Sequence, residues 1–213
     1  MLRKPRRRFL NSLLVLAAGC AGAAPVSNNI DLLKLIDPAK DAVQGTWRFD
    51  GAALATATGR FSRLQIPYVP PAEYDLRAVV ERRSGSNSIV FGLVAGGRQF
   101  CFVLDAFEHD TASGIDLIDQ VAFPDTETGY HAKILENGKP TEVVCSVRKD
   151  RLRATVGGKV IVDWPANYTR ASLFKDWNVP SSEALFLGAW TAPYLVHRLE
   201  LHPVSGDGRL LSR

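Results

Sequence analysis

The sequence predicts an all-β sandwich with at most one or two short helices. Apolar residues alternate with period two in short runs along most of the chain, and Gly, Asn and Pro signals separate those runs. Beyond one short stretch, no helical periodicity interrupts them, so antiparallel pairing is expected rather than alternating β-α units.

Residues 1–23 read as an export signal of twin-arginine type. Arg3, Lys4, Arg6, Arg7 and Arg8 open the chain, Leu13 to Ala18 form an apolar stretch too short to span a bilayer, and small residues follow. Ala21-Gly22-Ala23 offers a cleavage site, while Ala17-Ala18-Gly19-Cys20 is the alternative, a lipobox that would place a lipid on Cys20. That lipid is the one membrane partner expected. Location is then outside the cytoplasm, in the periplasm or cell envelope. The formal charge of +4 belongs to this leader: without its five positives, 21 basic residues face 22 acids. A net charge of −1 removes nucleic acid from the expected partners.

Residues 24–204 read as one domain and 205–213 as a polar tail. The single helix is expected over 37–43, with Asp37 capping and Pro38 at the first helical position. Strands are expected over 46–49, 53–57, 60–65, 74–82, 88–94, 98–106, 114–119, 132–135, 141–149, 151–156, 159–164, 184–190 and 195–203. Gly96-Gly97, Asn137-Gly138 and Gly157-Gly158 mark tight hairpin turns. In 74–82, Tyr74, Leu76, Ala78 and Val80 share a core face opposite Asp75, Arg77 and Glu81. After the leader, Cys101 and Cys145 each sit inside an apolar run and read as buried small hydrophobes, with a disulfide between them as the alternative.

Several segments carry a family pattern in order. They are Trp47 with Asp50-Gly51-Ala52-Ala53-Leu54, Glu73-Tyr74-Asp75-Leu76, Gly85-Ser86-Asn87-Ser88-Ile89, Gly97-Arg98-Gln99-Phe100, Val147-Arg148-Lys149-Asp150-Arg151-Leu152, and Gly157-Gly158-Lys159-Val160-Ile161-Val162-Asp163-Trp164. This order resembles the concanavalin A-like lectin/glucanase superfamily, in particular the laminin-G-like and 3-keto-disaccharide hydrolase-type domains of exported bacterial proteins. The resemblance implies a two-sheet antiparallel jelly roll that engages saccharides on a concave face or loop rim. The Glu-x-Asp-x-x-Glu signature of the glucanase branch is absent, so no catalytic residue is carried over.

Charge segregation is the sharpest local feature. Between Arg98 and Lys133 there is no Lys or Arg, whereas Asp105, Glu108, Asp110, Asp116, Asp119, Asp125 and Glu127 all fall there. Asp105, Glu108 and His109 are the candidates for binding sugar hydroxyls at a loop rim, with Ca²⁺ held by the same acids as the alternative and a solvated acidic loop as the plain reading. Sugar rings stack on indoles, and Trp177, placed in a loop with no strand face to hide on, is the aromatic candidate. Trp47 and Trp164 read as core, and Trp190 ends a strand whose two faces are both apolar. No zinc ligand set, nucleophile elbow or phosphate-binding loop is visible. The expected function is carbohydrate binding. The alternatives are a hydrolase of 3-keto-disaccharides or related glycosides, and a structural envelope module.

Overall fold

The computed structural model describes residue 1 and residues 29–212; the segment read as an export signal, with Cys20 and the expected cleavage site, falls outside the described residues. Two antiparallel sheets face each other. One has eight strands, in the order Lys159–Pro165, Arg151–Val156, Thr141–Val147, Glu73–Arg82, Tyr194–Ser205, Ala53–Thr56 and Trp47–Asp50, with Ile30–Asp31 also paired to Tyr194–Ser205. The other has six, in the order Ala112–Ile115, Arg98–Ala106, Ile89–Ala95, Phe186–Ala189, Ser62–Gln65 and Ala42–Gln44.

Period-two alternation builds the core between them. Tyr74, Leu76, Ala78 and Val80 point inward from the first sheet and meet Ile89, Phe91, Leu93, Phe100, Phe102 and Leu104 from the second. Trp47 and Trp164 are buried as expected. Cys101 and Cys145 are buried free thiols. They sit in different sheets, and burial raises both above the ordinary thiol range.

Three departures from the sequence reading have physical causes. The helix is only Pro38–Asp41, capped by Asp37 as expected, because Ala42–Gln44 leaves it to pair with Ser62–Gln65 at the sheet edge. Residues 132–135 form no strand: the backbone N–H groups of Ile134 and Leu135 donate to the Asp105 carboxylate, at 2.9 and 2.8 Å, instead of to a neighbouring strand. The 114–119 run breaks into Ala112–Ile115 and Leu117–Ile118, because Leu117–Ile118 leaves the six-stranded sheet to pair with Val121–Ala122 and Ala171–Ser172. In the tail, Arg209–Leu210 pairs with Tyr68–Val69.

A buried ion pair joins the sheets at one end. Arg82, at the last position of its strand, and Asp105, one residue from the end of its own, are 1% and 0% exposed with 3.2 Å between nitrogen and oxygen. Removing one partner of such a pair strands the other charge without water. Arg82→Met is therefore expected to lower unfolding stability by about 3–5 kcal/mol. Urea unfolding of the two proteins checks this, and a loss within 1 kcal/mol of zero, well below that range, would contradict it.

Candidate functional site

The six-stranded sheet is apolar on both faces. Its inward residues belong to the core, while Val90, Cys101, Val103 and Phe186 turn to the other face and form a second buried cluster with Ala106, Ala112, Phe123 and Trp177. Two loop segments cover part of that face. One runs through the paired Leu117–Ile118 and Val121–Ala122 strands, and the other passes from Ala171–Ser172 into the 3-10 turn Lys175–Trp177. Gly188 makes room for the second segment, since a Cβ there would come within 2.8 Å of the Trp177 ring.

The cover is incomplete, and what it leaves open is a groove of about 330 Å³ lined by Phe61, Trp177, Trp190, Phe174, Phe107 and Phe123 together with Asn87, Ser88 and Asp116. Phe61 is the hub of its aromatic wall. Its ring meets Trp177 edge-on at 4.8 Å and Trp190 at 4.4 Å, and it stacks on Phe174 at 5.9 Å. Phe107 and Phe123 stack at 5.7 Å as a second aromatic pair. Such offset and edge-on contacts hold rings in fixed orientations. Phe107 and Phe174 remain 46% and 43% exposed, which leaves ring surface open to a ligand.

Strain concentrates here. Phe61, Asn87 and Phe107 line the groove with φ of 50°, 96° and 69°, and Thr191, next to Trp190, has φ of 56°. L-residues rarely adopt that region, and surrounding structure must hold them there. The Asn87 side chain does part of this, its Oδ1 accepting from the N–H of Ser88 at 3.1 Å and of Phe107 at 3.3 Å.

Asp116 is the acid among the described lining residues. It is 7% exposed, and its Oδ2 accepts the Phe174 N–H at 2.6 Å. The Cys101 thiol donates a second hydrogen bond. Burial outweighs both donors and pushes its pKa from 3.8 up to about 6. A buried titratable group with a displaced pKa in an apolar concave site makes this groove the candidate functional pocket.

The sequence candidates divide. Trp177 lines the groove, although it is buried to 5% exposure rather than standing free in its loop. Asp105 lies beneath the surface, its carboxylate taken by Arg82, Ile134 and Leu135. Glu108 and His109 are exposed on the loop after Ala106 and do not line the groove, whereas Phe107 of the same loop does. The residues that sequence reasoning missed as site members are Phe61, Phe107, Asp116, Phe123, Phe174 and Trp190. The two-faced apolar pattern of 184–190 and the acidic window containing Asp116 were the available signals. A larger cavity of about 520 Å³ lies by Pro70, Pro71, Gly96 and Gly97. Its Arg148 is already tied to Asp75 at 2.7 Å and to the Tyr74 carbonyl at 3.0 Å. Among the described residues, no group of three or more His, Cys, Asp or Glu side chains is arranged to hold a metal ion.

Comparison with solved structures shows the same fold in proteins of distant sequence. The carbohydrate-binding module CBM66 from Bacillus subtilis superposes with a TM-score of 0.54 at 13% identity, covering 76% of this chain and 93% of that one. The exoplasmic/lumenal domain of VIP36, in its Ca²⁺- and mannose-bound form, gives 0.55 at 11% identity over 77% and 83%. The Crh5 transglycosylase in complex with NAG gives 0.57 at 9% identity over 84% and 85%. What these proteins share with the chain is the β-sandwich. No family model and no curated protein matches the sequence.

The sign of the Asp116 effect on stability follows from its raised folded pKa. The folded state holds the proton more tightly than the unfolded chain, so this contribution is complete below pH 3.8 and is lost as pH rises through about 6. Asp116→Asn keeps an acceptor for the Phe174 N–H and removes the charge. At neutral pH the variant is expected to be more stable than the parent by up to about 3 kcal/mol, and near pH 3.5 to match it. Denaturant unfolding of both proteins across that range measures this. A stability difference independent of pH would refute the assignment.

Proposed function

We propose that this chain is an exported carbohydrate-binding jelly-roll domain whose saccharide lies in the aromatic groove. The observation that carries the reading is the Phe61 hub with Trp177, Trp190 and Phe174, sharing one groove with Phe107, Phe123 and the buried Asp116. Apolar ring faces suit the C–H faces of a pyranose, and one buried acceptor orients a hydroxyl or other donor. Support comes also from the fold neighbours, which include a carbohydrate-binding module and structures holding mannose and NAG. The resemblance to laminin-G-like and 3-keto-disaccharide hydrolase-type domains belongs to the same reading. Glycoside hydrolysis ordinarily uses two carboxylates roughly 5–9.5 Å apart. Asp116 is the one carboxylate among the described lining residues, which favours binding over hydrolysis.

Glycan-array screening of the chain, followed by calorimetric titration of the hits, tests the proposal. Trp190→Ala and Phe174→Ala are each expected to weaken binding roughly tenfold or more, as loss of a stacking aromatic anchor does. Phe174 is half exposed, so its variant reports on the groove even where truncating Trp190 disturbs folding. Retained affinity in both folded variants would remove the groove from the proposal, and absence of any glycan hit would remove the function.

Delivery outside the cytoplasm by the twin-arginine route is part of the proposal, resting on Arg6-Arg7-Arg8-Phe9-Leu10. Replacing Arg6 and Arg7 together by Lys is expected to abolish export, scored by fractionation; unchanged export would refute that route.

A further inference from the structure

Much of the groove lining comes from one acidic stretch of the sequence. Phe107, Asp116, Leu117, Ala122 and Phe123 all come from the stretch between Arg98 and Lys133 that contains no basic residue. Part of its acidity is neutralised within the fold: Asp105 pairs with Arg82, and Asp119 and Glu127 both pair with Arg170. Among the described residues, no ion pair engages Glu108, Asp110, Asp116 or Asp125. Of these four, Asp116 is the one that lines the groove, a buried carboxylate without an ion-pair partner.

One ring of the groove already meets a cation. The Arg60 guanidinium stands 5.7 Å from the centre of the Trp190 ring, within the range of cation–π attraction. Electron-rich ring faces around a single carboxylate form an arrangement suited to an ammonium group, which the rings attract and the carboxylate pairs with. A neutral sugar would satisfy Asp116 with one hydroxyl and leave its charge uncompensated in an apolar site, whereas an amine would do both. Other charges near the groove are Lys175, beside Phe174, and Arg63, whose guanidinium is held by the carbonyls of Phe61 and Asp176. Neither is directed by an ion pair to Asp116.

We propose that the groove prefers saccharides bearing a free amino group, a hexosamine unit whose ring lies on the aromatic wall and whose ammonium pairs with Asp116. This inference rests on the carbohydrate-binding reading and names the ligand class for the same site.

Three tetrasaccharides separate the possibilities in calorimetric titrations near neutral pH with the full chain: a β-1,4-linked glucosamine tetramer, its fully N-acetylated counterpart, and the neutral glucose tetramer of the same linkage. The amino tetramer is expected to bind roughly tenfold to a hundredfold more tightly than either of the others, the scale of one charge-assisted hydrogen bond. Asp116→Asn, which keeps the acceptor for Phe174, is expected to abolish that preference, so that the amino and neutral tetramers bind alike. Equal binding of all three by the parent, tighter binding of the acetylated form, or a preference that survives Asp116→Asn each overturns the amino-sugar proposal while the groove remains a saccharide site. If none of the tetramers binds, the amino-sugar proposal falls, and the glycan array alone decides the wider one.

Discussion

The Arg82–Asp105 pair is the constraint from which the rest of this end of the sandwich is arranged. Each residue lies at or near the end of its strand, in opposite sheets, and the pair is sealed from water. A buried charge is tolerable only when its remaining hydrogen-bonding capacity is also met. That demand recruits the surroundings. Arg82 donates to the Leu135 carbonyl at 2.6 Å and to Asn137 Oδ1 at 2.7 Å, while Asp105 accepts from two successive backbone N–H groups. Segment 134–137 is thereby pulled out of any strand and pinned against the core. Arg82 also reaches the Asn87 carbonyl at 3.4 Å, which additionally accepts the buried Tyr194 hydroxyl at 2.5 Å. Asn87 in turn fixes the Phe107 backbone on the far side of the groove lining. The ion pair contacts no ligand surface; it positions the residue that positions one.

The groove follows from a conflict within the six-stranded sheet. An antiparallel sheet in a sandwich ordinarily wets its outer face, yet Val90, Cys101, Val103 and Phe186 make this one apolar. Covering loops must then bring their own apolar side chains, and they supply Phe123, Leu173 and Trp177. Cover by irregular backbone is never complete, since such backbone needs polar partners of its own. Phe61 and Phe107 reach the gap only by adopting left-handed backbone conformations.

Much of the architecture is legible in the sequence, because alternation is a direct physical record of which face meets the core. Arg98–Ala106 and Arg151–Val156 have the expected bounds, and Tyr74, Leu76, Ala78 and Val80 point inward as their spacing predicts. Legibility fails where tertiary hydrogen bonds override local pattern. Residues 132–135 look like a strand until Asp105 takes the N–H groups of Ile134 and Leu135, and 114–119 looks continuous until Leu117–Ile118 finds partners in Val121–Ala122 and Ala171–Ser172. The site suffers from the same limit. Composition located an acidic window and a loop tryptophan, but a carboxylate's role depends on burial, and burial is a tertiary property. Thus Asp105 became part of the frame, and Asp116, eleven positions later in the same window, lines the groove.

Asp116 is the clearest local departure from what stability alone would select. Its carboxylate sits in an apolar groove with one N–H and one thiol as donors, too few to offset desolvation, which is why its proton is held up to about pH 6. Asparagine would accept the same Phe174 N–H without a charge to desolvate. Local rules are broken most often where function requires it, because the surrounding fold must carry the strain. Here the supporting elements are identifiable: the Cys101 thiol and the Phe174 N–H beside the carboxylate, and the aromatic walls fixed by Phe61 and Phe123. A charge kept costly in an otherwise apolar groove is an acceptor that its donors from the chain leave undercompensated, and that asymmetry is the physical basis for reading the groove as a ligand site.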